Sequence, residues 1–225
     1  MNHYGTDRWW PFAEGGGTTI VLVSAVYTAA HLLHKRTPSP LTRALSWLMT
    51  GLWLLILYFF RDPNRRFSGD PALFLSPGDG EIVDIVQERE ERYLQTDVVR
   101  ISIFLSIFDV HVQRVPIAGR VTAVDHRPGQ FLQAFKPEAS AVNEYIAMQL
   151  ETDFGPVLIK QIAGILARRC VNYLRPGQRV ARGQRLGLIK FSSRVDIFLP
   201  HNAQLLVSVG DKVYGGLTPV ARLTK

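Results

Sequence analysis

The sequence predicts a mainly β (α+β) protein: a β-sandwich-like domain of barrel-sandwich type, preceded by an N-terminal apolar helical hairpin. Three observations carry this. Two long apolar stretches, Thr18 to Leu33 and Ala44 to Phe60, dominate the start of the chain. Beyond Asp62 they give way to short alternating segments, EIVDIV, VVRISIFLSI, GRVTAVDH and VDIFLP, broken by Gly, Pro and Asp. Alternation with period two between turn residues is the mark of strands. Finally, PGDGEIVDI and RPGQRVARGQRLGLI read as the two halves of a folded-over sandwich. The expected division is a hairpin over residues 1–61 and a β-rich domain over 62–225.

In chain order, each apolar stretch would form a helix roughly 25 Å long at ~1.5 Å per residue, slightly short of a ~30 Å hydrocarbon core. Lys35, Arg36 and Arg43 lie in the connection, and Arg61, Arg65 and Arg66 follow the second stretch, so the basic flanks choose no side. A hairpin that dips into one leaflet, or crosses and returns, fits both facts and leaves the β-rich part on the side of the N-terminus, the cytoplasmic one. A cleaved signal peptide fits poorly, because Ala44 to Phe60 runs directly into FRDPNR with no small-residue cleavage site. Trp9, Trp10, Trp47, Trp53 and Tyr58 serve either as interface anchors or as packing residues. Within the β-rich part, GQFLQAFKPEASAVNEYIAMQLET reads as a loop with one short helical turn before the next strand.

Lys and Arg number 26 against 19 acidic residues, a formal charge of +7 that suits an anionic partner. No recognition helix, zinc-finger spacing or aromatic RNA-binding motif is present, which excludes nucleic acid and favours an anionic lipid surface. The single cysteine, Cys170, forbids an intrachain disulfide and reads as a buried thiol. No set of His, Cys and carboxylates has metal-ligand spacing, and no lysine sits in a phosphate-binding context suited to pyridoxal phosphate.

Chemistry concentrates in Phe191-Ser192-Ser193-Arg194-Val195-Asp196. A serine at a tight turn between strands can attack the carbonyl behind it and convert the peptide bond into an ester. Elimination then cuts the chain and leaves dehydroalanine, which hydrolyses to a pyruvoyl group, a ketone able to act as an electron sink. A Ser-Ser pair alone is ordinarily just a turn. By the same standard His111, with Asp109 two residues before it, is ordinarily structural, and Asp79 is a turn carboxylate.

The company these residues keep alters that reading. FFRDPNR (Phe59 to Arg65), SPGDG (Ser76 to Gly80), FLSIFDVHVQRVP (Phe104 to Pro116), QIAGILARR (Gln161 to Arg169) and FSSRVDIFLP (Phe191 to Pro200), in this order, resemble the phosphatidylserine decarboxylase family in its compact bacterial and archaeal branch. The resemblance implies a membrane-bound carboxy-lyase that cuts itself between Ser192 and Ser193 into a β chain (1–192) and an α chain (193–225). It implies a pyruvoyl cofactor made from Ser193, and phosphatidylserine or a related seryl phospholipid such as archaetidylserine as substrate. It gives His111 proton transfer at the substrate carbon and makes Asp79 the acid of an Asp-His-Ser set. Arg61, Arg65, Arg114, Lys190 and Arg194 become candidates for lipid phosphate, where arginine binds in bidentate fashion. A homodimer stays open.

Two departures stand out. Arg114 occupies the place where longer members carry a second histidine, and Ser192 stands where the branch usually has glycine. A side chain on a strained turn could cost on the order of 1 kcal/mol. Cleavage one bond earlier, with Ser192 as the precursor, is the chemical alternative. Two rival readings are an uncleaved family member that binds lipid, and a membrane adaptor of the lipoyl-carrier type. The second needs an exposed lysine at a hairpin tip, whereas Lys190 is embedded in LGLIKF.

Overall fold

A computed structural model describes residues 10–132, 142–164, 170–190 and 193–223. The chain divides into two compact units, Trp9–Pro63 and Asn64–Lys225. The first holds two helices, α1 (Gly17–Arg36) and α2 (Pro40–Phe59), each of 20 residues. At ~1.5 Å per residue each is about 30 Å long, and by length and composition each could cross a membrane. They are longer than the apolar stretches alone predict, for reasons at the turn between them. His34, Lys35 and Arg36 extend α1, where positive charge suits a helix C-terminus. Ser39 then starts α2 with a capping box: its Oγ accepts from Thr42 N at 3.2 Å, Thr42 Oγ1 accepts from Ser39 N at 3.0 Å, and Pro40 opens the first turn.

The second unit is built from strands. In chain order these are β1 (Leu73–Leu75), β2 (Gly80–Glu90), β3 (Thr96–Leu105), β4 (Val112–Arg114), β5 (Gly119–Arg127), β6 (Tyr145–Thr152) and β7 (Gly155–Ala163). There follow β8 (Cys170–Asn172), β9 (Arg179–Val180), β10 (Arg185–Ile189), β11 (Ser193–Pro200), β12 (Gln204–Leu205), β13 (Lys212–Val213) and β14 (Pro219–Arg222). An eight-stranded sheet runs β13-β2-β3-β11-β7-β6-β5-β9, and two three-stranded sheets run β4-β10-β8 and β1-β14-β12. The mainly β architecture behind a helical hairpin is the one the alternation predicts.

One expectation needs correction. Tyr145–Thr152, read as the end of a loop, is the regular strand β6, paired on both edges with β5 and β7. Its run YIAMQL does not alternate because both of its faces are buried, so the period-two signal is lost. The expected helical turn falls largely on 133–141, outside the described residues.

β11 shows how the sheet is partitioned. Val195, Ile197 and Leu199 join the main core with Ile101, Ile103 and Leu105 of β3, Met148 and Leu150 of β6, and Leu186 of β10. Burying such a side chain contributes about 1.5–3 kcal/mol, so truncating Ile197, fully buried between β3 and β7, to alanine would cost about 2–5 kcal/mol. The alternate residues face the other way. Phe198 packs there with Val98, Tyr145, Leu158 and Ile162, and Arg194 donates to Asp196 Oδ1 at 2.6 Å and to Ser102 Oγ at 2.7 Å. On the same side Lys160 meets Glu90 at 3.3 Å. Burial alone would raise the pKa of Glu90, but the Leu94 and Tyr93 amides and Lys160 together hold it below the usual carboxylate range.

Candidate active site

Ser193 is the first residue of β11, paired with Leu105 of β3 on one side and Ala163 of β7 on the other. It is fully buried, and its Oγ has no hydrogen-bond partner among the described residues. Such an orphan is uncommon, because most buried polar atoms are paired and an unpaired one costs about 1–3 kcal/mol. Ser192 and Phe191 lie outside the described residues, as do residues 165–169 of the QIAGILARR segment.

His111 is brought to the same end of the sheet by two constraints. It follows Leu105, the register partner of Ser193, across a short turn, and its carbonyl accepts from Ile189 N at 3.3 Å, just before the chain returns to Ser193. The turn is closed by Asp109, whose Oδ2 accepts from Ser106 N at 2.8 Å and Ser106 Oγ at 2.7 Å. Asp109 was expected to share a strand face with His111. Its carboxylate instead caps this turn, and its backbone carbonyl lies 3.0 Å from His111 Nδ1. A carbonyl only accepts, so Nδ1 carries the proton and Nε2 is the basic nitrogen of the neutral ring.

Asp79 enters from the loop before β2. Gly80 has φ +151°, and a Cβ on it would lie 2.1 Å from the Phe104 carbonyl, so only glycine lets the loop turn into β2 so close to β3. Gly78 packs against Val195, where a Cβ would come within 2.9 Å of Cγ1. The Asp79 carboxylate, expected to orient a histidine, is held otherwise. Arg65 grips both of its oxygens, with Nη2 2.8 Å from Oδ2, and Gly215 N donates to Oδ1 at 2.8 Å. The pair is nearly buried, with side chains 9% and 6% exposed.

The remaining basic candidates are dispersed. Arg114 is buried on β4, with Nη1 3.3 Å from the Gly183 carbonyl, and its register partner on β10 is a second buried arginine, Arg185, which donates to Asn64 Oδ1 at 3.0 Å. Arg194 is on the face of β11 opposite Ser193, committed to Asp196. Lys190 directly follows β10. Within the helical unit Arg61 donates to the Tyr58 carbonyl at 2.7 Å and lies 3.7 Å over the Tyr58 ring. Burial pushes the Cys170 thiol pKa up, which leaves it protonated at neutral pH and a poor nucleophile. Sequence reasoning passed over three buried polar side chains here, Gln113, Gln161 and Arg185. The available signal was a glutamine standing where the alternation of an apolar strand calls for a core residue.

Comparison with known proteins agrees with the motif order. Residues 52–221 match the family model described as phosphatidylserine decarboxylase. The chain is 43% identical over 180 residues to the phosphatidylserine decarboxylase proenzyme of Carboxydothermus hydrogenoformans, covering 80% of this chain and 84% of that relative. It is 40% identical over 215 residues to the Parabacteroides distasonis proenzyme, covering 94% and 98%. With the Syntrophotalea carbinolica proenzyme it shares 46% over 172 residues, covering 76% and 80%.

Proposed function

Because the chain belongs to the phosphatidylserine decarboxylase family, we propose that it is a membrane-associated proenzyme. It cuts itself between Ser192 and Ser193 and then decarboxylates phosphatidylserine to the ethanolamine lipid. The observation that carries this is the Ser193 hydroxyl, fully buried at the start of a central strand and without a hydrogen-bond partner among the described residues. A pyruvoyl group formed at this position fits the surroundings, since the orphaned oxygen and the apolar neighbours Leu105, Ala163 and Val195 give a dry site. Its ketone would supply the electron sink for loss of CO2.

The steps that make it belong to the chain itself. A base takes the Ser193 hydroxyl proton, Oγ bonds to the Ser192 carbonyl carbon, and the C–N bond breaks as the Ser193 nitrogen gains a proton. Removal of the Ser193 Cα proton then expels the Ser192 carboxylate as the end of the 1–192 chain. Water hydrolyses the dehydroalanyl residue to the ketone and releases ammonia. His111, with Nδ1–H anchored to Asp109, presents Nε2 for proton transfer, both here and in returning a proton to the substrate α-carbon. Asp79 and Arg65 hold the SPGDG loop against β11. The two apolar helices would keep this unit at the bilayer, on the cytoplasmic side.

Intact mass of the purified full-length chain tests the proposal. Two species, residues 1–192 and 193–225, the shorter starting with a pyruvoyl group, together with CO2 release from phosphatidylserine vesicles, are the expected result. A single full-length species with serine at both positions after prolonged incubation would sink it and favour an uncut lipid-binding protein.

A further inference from the structure

Gln113 and Gln161 are both fully buried and have so far been given no task. Gln161 on β7 stands opposite Val195 of β11, and Ser193 stands opposite Ala163. Gln161 is therefore the diagonal neighbour of Ser193 on one face of the sheet, a separation that long side chains span. Its Nε2 donates to Gln113 Oε1 at 2.7 Å and reaches the Val171 carbonyl at 3.4 Å. Because a backbone carbonyl only accepts, this contact fixes which end of the amide is which, and Oε1 takes the opposite side. The approach depends on Gly187, where a Cβ would fall 2.5 Å from Gln161 Nε2 and 2.3 Å from the Val171 carbonyl oxygen.

Gln161 Oε1 and Ser193 Oγ are among the buried side-chain atoms left without partners among the described residues. They are complementary, since the first can only accept and the second can donate. Leaving both unsatisfied is unfavourable.

We propose that Gln161 is a positioning residue for self-cleavage, its Oε1 accepting a hydrogen bond from the Ser193 hydroxyl and turning an Oγ lone pair toward the carbonyl of Ser192. Gln113 holds the amide in the orientation this requires. An amide is too weak a base to take the hydroxyl proton, which still passes to the base, so Gln161 acts on orientation alone. The inference rests on Ser193 being the nucleophile.

The test follows conversion of purified full-length chains by denaturing gel and intact mass, with melting temperature measured on each. Gln161→Met combined with Gln113→Met, so that neither amide is left buried without the other, should slow conversion about 10- to 100-fold, the scale of a misplaced reacting group, with melting temperature unchanged or raised. Gln161→Glu keeps an accepting oxygen, so it should recover most of the rate and make it rise with pH as the new carboxyl ionises. The double variant converting at the wild-type rate beside a wild type that cuts would overturn this inference alone. So would slowing accompanied by a matching loss of melting temperature, which marks a packing role. A wild type that never cuts overturns the self-cleavage reading, and this one with it.

Discussion

The helical unit and the β unit are built inside out relative to each other. Polar groups lie between α1 and α2: Trp53 Nε1 donates to Ser24 Oγ at 2.9 Å and Ser46 Oγ lies 3.1 Å from His31 Nε2, beside a ring stack of Tyr27 on Trp53 at 4.8 Å. Their outer surfaces carry Leu41, Trp47, Val21 and Leu48, which are 78%, 73%, 67% and 65% exposed. In the β unit the apolar residues are inside, and the buried polar atoms gather around β11 and its neighbours. Each arrangement suits a different solvent. Lipid offers helices no hydrophobic reason to associate, so small polar contacts join them, whereas in water a polar atom is buried only where something other than stability requires it.

The contrast is broken most severely by exposing a charge inside the β unit. Asp196→Ala leaves Arg194 buried without its carboxylate, and a loss of about 3–5 kcal/mol is expected in urea unfolding. If Arg194→Met with Asp196→Leu recovers most of that loss, the pair serves placement rather than stability, as the contrast requires. Next in size is His111→Ala, expected to lower decarboxylation by about 100-fold or more when turnover is counted per cut chain. Normal turnover on that basis would remove His111 from the reaction. The smallest effect belongs to the helices. Trp53→Phe removes the bond to Ser24 but keeps the ring, and should weaken the hairpin by about 0.6–1.7 kcal/mol in vesicles. A larger loss in detergent-free buffer than in vesicles would argue against lipid as its solvent.

How far the sequence could be read follows from the same contrast. Strands with one face toward the core, such as β2 and β5, alternate and were legible, as were the apolar helices. β6 was not, because a strand buried on both faces loses its period. For the candidate site, motif order singled out Ser193, His111 and Asp79. The role of Arg194 could have been read from parity alone: in SRVDIFLP, Ser193 shares a face with Val195 and Ile197, so Arg194 and Asp196 share the other and pair across i, i+2. The grip of Arg65 on Asp79 and the Gln113–Gln161 bond were beyond reach. They depend on which strand ends meet across the fold, and no local pattern encodes that.

Ser193 opens a strand that is hydrogen-bonded along both edges, to β3 and to β7, with six strands of its sheet lying on the 1–192 side. The proposed cut there would make β11 and the segments after it a separate polypeptide clamped in the middle of a sheet. Folding of the precursor is a first-order event, independent of concentration. Loss of the mature structure is a dissociation, and recovery is a second-order encounter between a short strand-forming fragment and a sheet missing its centre, subject to mass action. Such a cut would turn a reversible fold into a ratchet. The intact chain assembles the sheet once, and thereafter the enzyme persists through the slowness with which a doubly bonded central strand can leave.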